Sequence, residues 1–283
     1  MIAEFIGAYS TNSLALLGDA FHMLTHFGSV GMSYLAIVIA LRPAPPDKTY
    51  RYWRAEVIAG FLNALFLLPV AIYILYEAYH RWQNPEEIKV APMLGVAVIG
   101  LIVNIICAKA LHQHSHDNLN VRGAFLHMLA DTLSSVGVIA AGVLIYFTGW
   151  KMADPLSAAL ISVLIFFWSF GLIRESIAIL LESAPAHMDL EEIRSSMTEE
   201  GEVKEIHDLH VWTITSKMYT LTAHVILSED LPVSRTEDLS KRLALMLDEK
   251  YDINHFTLQF ETSHQEQDCA HDEENTSRIR KVT

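Results

Sequence analysis

The chain has 283 residues, 52% of them hydrophobic and 19% charged, with a mean hydropathy of +0.27 and a formal net charge of −13. Residues 186–283 hold 21 acidic and 10 basic side chains, a balance of −11, while residues 1–185 hold 12 and 10, a balance of −2. An apolar front joined to an acidic back excludes a disordered chain, a nucleic-acid binder, which needs a basic face, and a single soluble domain.

The first residues, MIAEFIGAYSTN, are too short to span a membrane. They lack the basic n-region of a signal peptide, so they read as the tail end of a helix plus a loop. Ser13–Leu41, Ala55–Tyr79, Ala91–Leu111, Val121–Gly149 and Pro155–Leu181 then each offer the ~20 mainly apolar residues of a membrane span. So many apolar runs in so short a chain are hard to bury except in lipid. Arg42, Lys48, Arg51 and Arg54 lie in one connection, and Lys109 and Arg122 flank the next on the same side. The opposite connections are poorer in basic residues. The excess of positive charge therefore places the loops 42–54 and 109–122, with the acidic C-terminal part, in the cytoplasm. Trp53, Trp82 and Trp150 fall near span ends, as an interfacial aromatic belt requires, and Trp168 inside a span reads as packing. Cys107 and Cys269 are too few for a disulfide framework.

From Met188 the pattern changes. Leu190, Ile193 and Met197 suggest a short helix. Val203–Thr215 and Met218–Leu227 read as strands joined by a tight Ser216-Lys217 turn. Leu239, Leu243 and Leu247 mark a helix over Thr236–Lys250, and His255–Glu261 alternates as a third strand. The fold class is an all-α transmembrane bundle followed by an α+β cytosolic domain. The expected divisions are 1–185 for the membrane part, 186–262 for the cytosolic domain and 263–283 for a disordered acidic tail.

Ionisable side chains at membrane depth are costly and point to function. His22 and His26 stand four apart in one span, and His127 and Asp131 stand four apart in another. Residues i and i+4 share a helix face, so each pair offers two ligands to one point between the helices. Three imidazoles and one carboxylate suit tetrahedral Zn²⁺ and would also hold Co²⁺, Cd²⁺ or Fe²⁺. Asp19, one turn before His22, is a further candidate for helping the cation in or for accepting a hydrogen bond behind the ligands. His112, His114 and His116 form a histidine-bearing loop, either a loose metal site or a solvated connector. His80 reads as an interface residue. His207, His210 and His224 fall on the two strands. His207 and His224 can face each other, with His255 and Glu261 on the third strand, as a second metal site. Cys269 and His271 in the tail are a possible added clip.

The segments SLALLGDAFHML, DKTYRYWRAEVIAGFLNALFLL, HSHDNLNVRGAFLHMLADTLSSVGV, DPLSAALI and IHDLHVWTIT with LTAHVIL together resemble the cation diffusion facilitators of the zinc-efflux type. The resemblance runs collinearly from residue 1 to about 262. It implies six membrane helices, a ferredoxin-like cytosolic domain, a homodimer, and divalent-metal/proton antiport out of the cytosol. The family draws its transport ligands from the second and fifth spans, at the positions of His22, His26, His127 and Asp131. The sequence departs from the family pattern in three places. Only MIAEFIGAY stands where a first span is expected, which reads either as a misplaced start codon or as a truncated chain. His26 replaces the usual aspartate of HxxxD, which removes one negative charge from the loaded site. Trp53 stands where a histidine often precedes RAE. A bacterial inner membrane is the expected location. Two rival readings remain: a metal sensor or regulatory subunit that binds without transporting, and an intramembrane metallohydrolase. The second lacks a general base, because Met23 follows the first histidine of the His22/His26 pair where HExxH requires glutamate.

Overall fold

The computed structural model describes residues 2–40, 42–43, 45–112, 119–215 and 218–263; within its helices the side chains of residues 25, 26, 29, 30, 33, 36, 37, 40 and 111–130 lie outside the description. The chain divides into two compact units, residues 1–176 and 177–283.

The first unit is helical. α1 (Ile2–Thr11) is followed by α2 (Leu14–Ala40), α3 (Ala55–Gln83), α4 (Val90–His112), α5 (Leu119–Thr148) and α6 (Ala153–Leu180). Among the described residues, four helical stretches are long and apolar enough to cross a membrane: Ala55–Gln83, Val90–Ala110, Asp131–Thr148 and Ala153–Leu180. α2, the fifth expected span, is a continuous helix of 27 residues, and its fully described apolar section is Leu14–Leu24. The N-terminal residues form the short helix α1 and a loop, with Asn12 at φ +59° turning the chain into α2.

Packing on α6 departs from the rule for soluble helices. On α6 the buried side chains are Ala158, Ile161, Ser162, Ile165, Ser169 and Ser176, while Leu160, Leu164, Phe167 and Phe170 face outward. Small and polar groups inside let backbones approach, and large apolar groups outside meet lipid tails. Gly7 shows how close that approach is. A Cβ there would lie 2.8 Å from Val96, so α1 rests directly on α4.

The beginning of α2 is capped from another helix. Asp154 of α6 is fully buried and accepts hydrogen bonds from Ser13 Oγ at 2.5 Å, Leu14 N at 2.7 Å and Ala15 N at 3.2 Å. A helix N-terminus leaves its first N–H groups without partners, and a carboxylate both satisfies them and meets the positive end of the helix dipole. Beside it, half-buried Arg81 of α3 donates to the Asn12 carbonyl at 2.7 Å and to Glu77 at 2.9 Å, and Asn12 Nδ2 donates to Glu86 at 2.8 Å. The turn before α2 is thus held by α3, α6 and the segment that follows α3.

The second unit has the order α7 (Leu190–Thr198), β1 (Val203–Thr215), β2 (Met218–Leu227), α8 (Val233–Tyr251), β3 (His255–Glu261). β2 is the central strand, antiparallel to β1 and parallel to β3. The expected Ser216-Lys217 turn and the tail from residue 264 lie outside the described residues. Asp189 caps α7 by accepting from Glu191 N, and Asp252 ends α8 in the left-handed conformation at φ +56°. Ile193 and Met197 of α7 and Leu239, Leu243 and Leu247 of α8 bury one face of each helix against Val211, Leu221, Ala223 and Val225 of the sheet. This is the α+β cytosolic domain of the sequence reading, with conventional amphipathic patterning.

Replacing Asp154 with alanine strips the cap from α2 and leaves buried N–H groups unanswered. Asp154→Ala should lower stability by about 0.5–2 kcal/mol, read as a fall in Tm of the detergent-solubilised protein. Asp154→Asn, which keeps one acceptor oxygen, should fall less.

Candidate metal centres

Inside the helical unit, α2 and α5 face each other across a polar seam. His22 Nε2 lies 3.2 Å from Asp131 Oδ1, and both side chains are almost fully buried. A Zn²⁺ ion with bonds of ~2.0–2.2 Å in tetrahedral geometry sets its donors roughly 3.4 Å apart. The imidazole nitrogen and the carboxylate oxygen therefore already stand at close to the spacing of one edge of such a site. His22 also lies against Trp168 of α6, with ring centroids 5.7 Å apart. Trp168, which the sequence reads as packing, thus packs on His22 with much of its surface exposed.

One helical turn away on the same two helices, buried Asp19 of α2 accepts hydrogen bonds from Ser134 Oγ at 2.7 Å and Ser135 Oγ at 3.4 Å. Asn104 of α4 donates to Ser135 Oγ at 3.3 Å. Sequence reasoning singled out Asp19 and missed these partners. The available signal was the Ser134-Ser135 pair, three and four residues after Asp131. His26 and His127 belong to α2 and α5 at the i, i+4 positions of His22 and Asp131. Their side chains lie outside the described residues, as do His112, His114, His116, Cys269 and His271.

The cytosolic unit gathers a second cluster. Ligand atoms of His207, His224 and Glu261 lie within 4.8 Å of one another. His207 and His224 are register partners across β1 and β2, with ring centroids 4.9 Å apart. Glu261, at the end of β3, brings Oε2 to 3.1 Å from His207 Nε2 and Oε1 to 3.1 Å from His224 Nδ1. The first contact is a hydrogen bond. The second has no hydrogen-bond alignment and leaves the buried His224 Nδ1 unsatisfied. Two imidazoles and a carboxylate converging with one unanswered nitrogen are a donor set for Zn²⁺ or Co²⁺ with a position to spare.

Asp208 is a residue the sequence reading missed. It sits in the β1 irregularity between His207 and His210 at φ +50°, and its carboxylate lies 2.9 Å from His210 Nε2 and 3.8 Å from His224 Nε2. A one-residue bulge is not legible in an alternating strand pattern. His255 is not brought to the cluster. It pairs with Thr220 at the other end of β3, while Glu261 pairs with Ile226, so six residues of strand, ~20 Å, separate the two.

Burial would raise the Glu261 carboxyl, but hydrogen bonds from Gln259 and His207 and the positive fields of His224 and His207 outweigh it and hold the carboxyl below its ordinary value of 4.5. A depressed value means that the ionised form stabilises the fold above the ordinary value, and that this contribution is lost as pH falls through the lower folded-state value. In metal-free protein, Glu261→Gln should therefore be less stable near neutral pH and lose less stability on acidification below 4.5 than the parent. Thermal unfolding followed across that range checks both.

The family model described as the cation efflux transmembrane domain matches residues 1–181, and that of the cation efflux protein, cytoplasmic domain, matches residues 185–263. The chain is 42% identical to the cation efflux system protein CzcD of Alcaligenes sp. (strain CT14), over 98% of this chain and 87% of that protein. It is 38% identical to the cadmium, cobalt and zinc/H(+)-K(+) antiporter of Bacillus subtilis (strain 168), over 95% of this chain and 87% of that protein. It is 37% identical to the zinc transporter ZitB of Escherichia coli (strain K12), over 92% and 83%. With its apolar helices and small α+β domain, the molecule is a multi-pass membrane protein whose C-terminal domain is cytoplasmic. The chain belongs to the cation diffusion facilitator family, and it is a divalent-metal exporter.

Proposed function

We propose that the exported ion is Zn²⁺, bound by His22, His26, His127 and Asp131 and exchanged for protons. The observation that carries this reading is the buried 3.2 Å approach of His22 Nε2 to Asp131 Oδ1 between α2 and α5. An imidazole and a carboxylate at that depth are expensive to maintain unless they serve an ion. The names of the similar proteins, two of which specify zinc and one of which specifies proton antiport, support both the metal and the counter-ion.

Metal ligands must be deprotonated, so zinc arriving from the cytosol displaces protons from the imidazoles. Rocking of the helices opens the site outward. Protons there compete for the same nitrogens and release the ion. With a single carboxylate the loaded site keeps one positive charge, and a two-His, two-Asp set would be neutral. The extra imidazole makes release depend more steeply on outside proton concentration.

In the cytosolic domain, His207, His224 and Glu261 hold a further divalent ion. The protein works as a homodimer, and metal bound there draws the two cytosolic domains together, with the sequence-predicted site member His255 outside the ligand set. Equal dimer affinity with and without zinc would overturn this part of the reading.

Zinc flux into proteoliposomes tests the transport site. His22→Ala and Asp131→Ala should each reduce flux to background and leave zinc binding by the cytosolic domain intact. Flux unaffected by both substitutions sinks the proposal. In the parent, flux should rise more steeply with outside acidity than in His26→Asp, which restores the second carboxylate.

A further inference from the structure

We infer that Asp19 is a positioning residue of the transport site: through Ser134 and Ser135 it ties α2 to α5 one helical turn from the His22–Asp131 contact and so fixes the spacing of the ligands. The inference rests on the proposed role of His22 and Asp131.

The geometry is that of two stacked layers. On α2, Asp19 precedes His22 by three residues; on α5, Ser134 and Ser135 follow Asp131 by three and four. Lower numbers on α2 meet higher numbers on α5, so the helices run antiparallel and each layer joins the same two helices. In one layer the partners are the ligands themselves, His22 and Asp131 at 3.2 Å. In the other, both Asp19 oxygens accept from hydroxyls of α5, at 2.7 Å and 3.4 Å. Asn104 of α4 donates to Ser135 Oγ at 3.3 Å, which commits the Ser135 proton to Asp19. Asp19 thus spends one acceptor site of each oxygen on α5, one helical turn from the His22–Asp131 contact.

The division of labour follows from the chemistry. When an ion occupies the site, His22 and Asp131 must turn toward it, and their direct contact no longer holds α2 against α5. The Asp19 layer persists, because it contains no ligand. A bidentate, charge-assisted link through two short side chains leaves little freedom to the helix separation, which the ligand spacing requires to within a fraction of an ångström. It also resists the wider spacing that a larger ion such as Cd²⁺ demands.

Saturation curves for zinc and cadmium flux in proteoliposomes holding the full-length protein test this. Asp19→Ala should raise the half-saturating zinc concentration about 10–100-fold, with a smaller change in maximal rate, and should reduce the preference for zinc over cadmium. Ser134→Ala combined with Ser135→Ala should do the same, and adding Asp19→Ala to that pair should cost little more. Asp19→Asn, whose amide oxygen still accepts from Ser134, should return close to the parent. An Asn variant as impaired as the Ala variant would assign the effect to charge and overturn the inference, as would an unchanged half-saturation in Asp19→Ala. Should Asp19→Ala fail to fold, the serine pair, which removes only two hydroxyl oxygens, decides the matter alone. A His22→Ala control separates the two levels. Saturable flux in that variant sinks the proposed transport site, whereas background flux in it with parent-like Asp19→Ala sinks only the positioning role.

Discussion

A carboxylate at membrane depth has to be answered by protein or by a water-filled cavity, because lipid cannot solvate it. Among the described residues, three buried aspartates of the helical unit stand under this constraint, and the arrangement of α2 follows from what each of them meets. Asp154 of α6 is met by the first N–H groups of α2 and by Ser13. Asp19 of α2 is met by Ser134 and Ser135 of α5. Asp131 of α5 lies 3.2 Å from His22 of α2, a contact that is not a hydrogen bond at Oδ1. Each link runs between different helices and each involves α2 or its cap. The helix that carries the candidate ligands is therefore fixed at its start by α6 and along its length by α5.

The two units solve opposite packing problems with the same alphabet. The helical unit buries alanine, serine and asparagine beside a few large apolar residues such as Leu16 and Ile74, and turns many others, Phe66, Leu160 and Phe167 among them, outward, since lipid supplies no hydrophobic force to drive helices together. The cytosolic unit hides leucine and isoleucine between helices and sheet and, Glu261 apart, leaves most of its described acids at the surface. Residues 186–283 account for −11 of the −13 charge of the chain. Their summed field raises the local concentration of divalent cations around the domain that carries the His207–His224–Glu261 cluster.

Much of this was legible in the residues. Long apolar runs announce membrane helices because only closed hydrogen bonding survives in lipid, and the runs fell within a few residues of α3, α4, α5 and α6. Leucines at helical spacing and alternating strands gave the order of the cytosolic elements. The facing of His207 and His224 was anticipated, but a two-residue turn alone would set His207 against Ile226, and register shifts in β1 bring it to His224. The third strand was not. Both His255 and Glu261 lie on β3, and no local rule says which end of a parallel strand reaches the histidines. The path of α8 decides that register, and it brought Glu261. Asp208 escaped because its approach to the cluster depends on a bulge and a positive φ, which the strand pattern hides.

By itself the sequence determined the kind of solvent each part would meet, the order of the elements and the residues costly enough to need a reason. Hydrophobicity, periodicity and charge are local properties, and they add along the chain. Only the tertiary structure decided which costly residues answer one another: that Asp19 turns to two serines of α5, that Asp154 caps α2, and that Glu261 joins the histidines while His255 stands apart. Those choices depend on helix separation, crossing and strand register, which arise when distant segments pack, and hydrogen bonds of 2.7–3.4 Å leave little tolerance in any of them.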